Sequence, residues 1–144
     1  MIRGMGRNTN TGGVLESMIL PALERGGYRA TKQVNIGIRL GGKSRHMVDA
    51  VAEKDGRKFL ISLKWQQTAG TAEQKVPFEM MCLAEAIEDN GSEYERAYLV
   101  LGGDGWKLRD YYVSGQILKY MRDVNVVEIV TLERFVALAN SCRL

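Results

Sequence analysis

Asp49, Ser62, Lys64 and Gln66 are the residues whose types and spacing could do chemistry together. A carboxylate can hold a hard divalent cation, which polarises a phosphate and lowers the pKa of a bound water. A lysine beside it can orient that water or stabilise charge developing on the phosphate. Phosphodiester hydrolysis needs these parts. The same residues also suit an ordinary cross-strand Asp–Lys pair on a sheet surface. The neighbourhood favours the chemical reading, because Lys64 runs into Trp-Gln-Gln-Thr-Ala-Gly, rich in groups that bond phosphates or bases.

A hairpin must bring these residues together. Asp55-Gly56 suits a two-residue turn in which both central residues take positive φ. It joins strands expected over 47–54 and 57–64. Pairing outward from Lys54 and Arg57 sets Asp49 opposite Ser62, with Lys64 diagonal to it. Alternation then puts Val48, Ala50, Ala52, Phe59, Ile61 and Leu63 on one side, and Met47, Asp49, Val51, Leu60, Ser62 and Lys64 on the other.

Around the hairpin, apolar spacing predicts a first helix over 14–23, kinked or shortened by Pro21 and stopped by Gly26-Gly27. Alternation of Val34, Ile36 and Ile38 predicts a strand over 28–40 that enters the basic loop GGKSRH. Thr71 and Gln74 suit a capping box for a helix ending at Asn90-Gly91. A buried strand over 96–101, a helix over 107–123, a strand over 126–130 and a closing helix over 131–139 complete the order αβββαβαβα. Helices must cover both faces of the resulting mixed sheet, so the expected class is α/β or α+β with a central sheet.

A chain of 144 residues with 45% hydrophobic and 26% charged residues and two prolines is expected to fold as one domain over 1–144. Cys82 and Cys142 stand far apart, outside any CxxC or Cys/His ligand spacing, which argues against a disulfide framework or zinc finger. No run approaches a membrane span, and MIRGMGRNTNTGG lacks a signal-peptide core, so a cytoplasmic protein is expected. The net charge of +3 hides a division: residues 1–64 carry twelve Lys and Arg against five acids, and 65–144 carry eight against twelve. A basic first half would attract a polyanion, or simply be a solvated face.

The run MVDAVAEKDGRKFLISLKWQQTAGTAEQKVPFE, ending at Glu79, resembles the core of the PD-(D/E)XK nuclease superfamily, the restriction-endonuclease-like fold, and residues 14–101 match its element order. It is similar to phage- and intron-encoded members. The resemblance implies a metal-dependent DNA endonuclease of restriction, homing or junction-resolving type, using Mg2+ with Mn2+ as a substitute ion, and acting as a homodimer or homotetramer. Asp49 would be the first acid and Lys64 the lysine of the motif. The chain departs from the pattern at Ser62, which stands where the second acid belongs. Some members move that acid to the following helix, which makes Glu79 the candidate and Glu73 a weaker one. Glu16, on the first helix, corresponds to a metal-binding acid of resolvase-like members. Gln66 would bond a phosphate or metal-bound water. His46 is read as DNA-facing or incidental. Arg39, Lys43, Ser44, Arg45, Gln67, Thr68 and Lys75 are the expected DNA contacts, and Arg3, Arg7, Asn8 and Asn10 a basic arm. Tyr111, Tyr112 and Tyr120 fit a core or interface better than stacking platforms. The alternative is a binding module that kept the fold and lost its second acid.

Overall fold

The computed structural model describes residues 11–144. Five strands, β1 (Arg29–Ile38), β2 (Arg45–Lys54), β3 (Arg57–Trp65), β4 (Arg96–Gly102) and β5 (Val127–Thr131), form one sheet in that order. The first three are antiparallel neighbours, and β3, β4 and β5 run parallel. Among the described residues the helices are α1 (Leu20–Arg25), α2 (Ala72–Asp89), α3 (Arg109–Val113) and α4 (Leu132–Asn140). The order and the mixed sheet agree with the expected fold class.

Two apolar layers position the helices. Under α2 and α3, Val76, Met80, Leu83 and Tyr112 pack against Leu60, Leu99 and Leu101. On the other face, Leu15, Ile19 and Leu23 from the first helical stretch and Phe135 from α4 pack against Phe59, Ile61 and Val100. Covered on both sides, β3 and β4 can be continuously apolar, as Phe59-Leu60-Ile61 and Ala97–Leu101 are. Among the described residues no helix is long and apolar enough to cross a membrane.

Pro21 marks an irregularity, as expected. A π-helical turn, Leu15–Ile19, precedes α1, and Leu20 N–H bonds Leu15 O, five residues back. Such a turn widens the helix where the proline ring would crowd the carbonyl of the preceding turn. Asp55 and Gly56 both take positive φ, 54° and 80°, and the ladder runs from Lys54↔Arg57 to Ala50↔Ile61.

Past Ala50 the expected arrangement fails. The β2–β3 ladder stops, and Asp49 does not pair with Ser62. Val48 belongs to the layer under α2 with Val51 and Leu60, not to the row of Ala50 and Ile61, so Met47 and Val48 have exchanged faces relative to the sequence reading. The alternation reverses at Asp49, opposite Gln33 of β1, which has a φ of 53°.

Two helix expectations also change. The helix over 107–123 is broken at Gly115, whose φ is 83°; α3 spans only five residues, and a 3-10 turn, Gln116–Tyr120, follows. Tyr112 is buried in the core, whereas Tyr120 is exposed. The Thr71 side chain makes no cap to α2; the Gln66 carboxamide takes that place.

Candidate active site

β2, β3 and α2 converge on Glu79, a carboxylate only 3% exposed. The Ser62 hydroxyl donates to its Oε2 at 2.8 Å, and Arg39 Nη1 donates to its Oε1 at 2.6 Å. His46 Nε2 lies 3.2 Å from Oε2 and, since an ionised carboxylate only accepts, carries the proton of that bond. Burial raises the pKa of Glu79, but the His46 bond, the Lys64 charge and the Arg39 bond outweigh it and hold the carboxyl at about 2. Glu79 is therefore an ionised, buried acid, not a solvated helix-edge residue.

Asp49 is half-buried at the edge of this group. Its Oδ2 accepts the Leu63 N–H at 2.7 Å, the bond that β2 would have made had its ladder continued. Its other oxygen has no hydrogen-bond partner among the described residues. Burial raises its pKa, and the Leu63 amide and the Lys64 charge oppose that rise without cancelling it. Lys64 makes no ion pair among the described residues, and its charge acts on both Asp49 and Glu79. The arrangement is two carboxylates facing one uncommitted ammonium.

The fold commits several candidates elsewhere. Gln66 is buried; its Nε2 donates to Gly105 O at 2.8 Å and its Oε1 accepts the Ala72 N–H at 3.0 Å, so its amide caps α2 and is not free for a phosphate or a metal-bound water. Arg39, expected as a DNA contact, is turned inward onto Glu79, which leaves its side chain 27% exposed. His46 is 1% exposed and so does not face DNA. Glu73 is buried, and its carboxylate accepts the Leu108 N–H at 2.6 Å, ahead of α3. Glu16 pairs with Lys32, whose β2 neighbour Ala50 packs in the layer under the first helical stretch; Glu79 lies on the opposite face. The structure does not bring Glu16 to Glu79.

Lys43, Ser44, Arg45, Gln67, Thr68 and Lys75 are exposed. They extend from the segments that meet at Glu79: the loop after Arg39, the loop after Gln66, and the turn of α2 before Glu79. The loop after Gln66 is held by close backbone approach, since a Cβ on Gly105 would meet the Thr68 backbone at 2.5 Å. Arg3, Arg7, Asn8 and Asn10 lie outside the described residues. Sequence reasoning missed the inward roles of Arg39 and His46. Both approach Glu79 across more than thirty positions, and no local pattern signals such a pairing.

Among the described residues no three His, Cys, Asp or Glu side chains group as a metal cage. Two carboxylates still suit Mg2+, which keeps several waters and takes one or two protein carboxylates with substrate phosphates. The unpartnered oxygen of Asp49 fits a cation. So does Glu79 Oε1, which accepts one bond and keeps a second lone pair.

No curated protein matches the chain in sequence. A solved structure described as a protein of unknown function, AF1548, is similar over 78% of this chain at 15% identity with a TM-score of 0.46. The chain spans about half the length of that protein, 54%. The family model for the PD-(D/E)XK nuclease superfamily domain matches residues 7–142. With that match over nearly its whole length, the chain belongs to the PD-(D/E)XK nuclease superfamily.

Proposed function

We propose that the chain is a metal-dependent DNA endonuclease in which Glu79 stands in for the acid missing at Ser62. The observation that carries this reading is the Ser62–Glu79 hydrogen bond, which puts a carboxylate from α2 at the strand position where the serine cannot supply a charge. Asp49 and Glu79 would hold Mg2+. Bound there, the ion would supply neutralisation of the scissile phosphate and acidification of a water.

The chain's own residues do the rest. Lys64, uncommitted between the two acids, orients the attacking water and stabilises charge developing on the phosphate. Ser62 and His46 fix the rotamer of Glu79, so that its remaining lone pair is preorganised. Arg39 neutralises Glu79 while the site holds no cation. Exposed Lys43, Arg45 and Lys75 bind phosphates, with Ser44, Gln67 and Thr68 supplying uncharged contacts. Cutting both strands takes two such sites, so two chains act together on a duplex.

The lack of an acid at position 62 and the clamp on Glu79 favour a second reading, a non-cleaving nucleic-acid-binding module. Supercoiled plasmid incubated with the protein and Mg2+ or Mn2+ separates the two. The nuclease reading expects nicked or linear product that disappears with EDTA and in Asp49→Ala and Lys64→Ala. DNA binding without cleavage under every divalent ion tried would replace it with the module.

A further inference from the structure

One strained residue outside the acid cluster bears on it. Gln33 lies in β1, an edge strand, at φ 53°, a left-handed backbone that L-residues other than Gly, Asn and Asp rarely take. The residue across from it is Asp49. On either side the pairing is regular, with Lys32 opposite Ala50 and Val34 opposite Val48. The faces are not regular. Val34 and Val48 pack under α2, as does Val51 opposite Thr31, whereas Ala30, Ala50 and Ala52 pack on the other side. Same-face residues are thus three apart on both strands where a pleat requires two. One residue of each strand, Gln33 and Asp49, is inserted at the same point, and the register survives because both strands break together.

The insertion places Asp49. Regular alternation would put Asp49 under α2 in the row of Val51 and keep β2 laddered to β3. Instead the β2–β3 ladder ends at Ala50, and the Asp49 carboxylate lies in the gap, bonded to Leu63 N–H one residue before Lys64. The Gln33 side chain is exposed and makes no hydrogen bond among the described residues, so its contribution comes through its backbone.

We propose that Gln33 is a positioning residue for Asp49: its left-handed backbone in β1 lets β2 release Asp49 from the ladder and turn the carboxylate towards Leu63 N–H, beside Lys64. The catalytic consequence rests on the nuclease reading; the coupling of the two strands does not.

The test compares Gln33→Val, a β-branched residue that resists positive φ, with Gln33→Gly and Gln33→Asn, which accept it. Three quantities are read: the Leu63 amide resonance by NMR, Mn2+ affinity by calorimetry, and kcat and KM for plasmid cleavage. For Gln33→Val the Leu63 resonance is expected to move towards its position in Asp49→Ala. Mn2+ affinity and kcat should each fall about tenfold or more, with KM for DNA little changed. Gly and Asn should stay close to the unaltered protein in all three. A Val variant that matches the unaltered protein, or a Gly variant that loses as much as Val, overturns the proposal. Should Gln33→Val not fold, residual dipolar couplings of the unaltered protein decide, since a Gln33 φ in the β region also overturns it. If the unaltered protein does not cut DNA, the nuclease reading fails, while the Leu63 resonance still decides the coupling.

Discussion

Two carboxylates that feel each other's charge are shifted in opposite directions, and each shift has a consequence for stability. Glu79 is held at about 2 against an ordinary 4.5. The unfolded chain therefore binds more protons than the folded one between those values. The stabilisation is complete above pH 4.5 and is lost as pH falls towards 2, ~3 kcal/mol across the window. Urea denaturation between pH 5 and 2.5 should show this loss, and it should be much smaller in Glu79→Gln. Asp49 carries the opposite sign. Its pKa is raised by burial, so its stability cost grows as pH rises from the ordinary 3.8 and is complete above the raised value. Asp49→Asn, which keeps an oxygen for Leu63 N–H, should melt at the same temperature as the unaltered protein or higher, yet cleave DNA at least about a hundredfold more slowly. A marked fall in melting temperature would mean that the carboxylate is structural.

At the scale of elements, the residues that shape the site serve helix ends and strand breaks. Gln66 joins the end of β3 to the start of α2 and to the loop after β4. Gln66→Ala should destabilise the fold by about 1–2 kcal/mol in chemical denaturation, as losing a helix cap does, while cleavage per folded molecule changes little. Much at this level was legible in the sequence. Asp55-Gly56 defined the turn, and pairing outward from it identified the ladder as far as Ala50. The element order followed from apolar spacing and the placing of Lys64 from the hairpin, whereas Glu79 was found through the family resemblance. What escaped was non-local. The reversal at Asp49 depends on a strained residue in another strand. Gly115 breaks a helix whose apolar residues otherwise keep helical spacing, and a glycine in such a run does not by itself reveal a break. The inward turns of Arg39 and His46 need the packed fold to appear.

Across the whole molecule, half of the basic residues described in the first half are neutralised by ion pairs. Arg29, Lys32, Arg39, Arg57 and Lys58 each pair with an acid, three of them with Glu79, Glu95 and Glu93 from the acidic half. Lys43, Arg45, Lys64 and Lys75 make no ion pair among the described residues, and all four lie on segments that border Glu79. Arg25 and Lys54 are the other described basic residues of the first half without an ion pair, so part of the field available to a polyanion borders the site. Fluorescence anisotropy with duplex DNA, without divalent ions, should show affinity falling steeply with salt. Lys43→Ala with Arg45→Ala should lower the slope of log K against log salt by about 2; an unchanged slope would remove that loop from the DNA surface. Anomalous diffraction from crystals of the protein grown with Mn2+ asks whether Asp49 and Glu79 together form the cation site. One peak bonded to oxygens of both Asp49 and Glu79 at about 2.2 Å is expected. A peak that bonds only one of them, or that sits at Glu16, would contradict it.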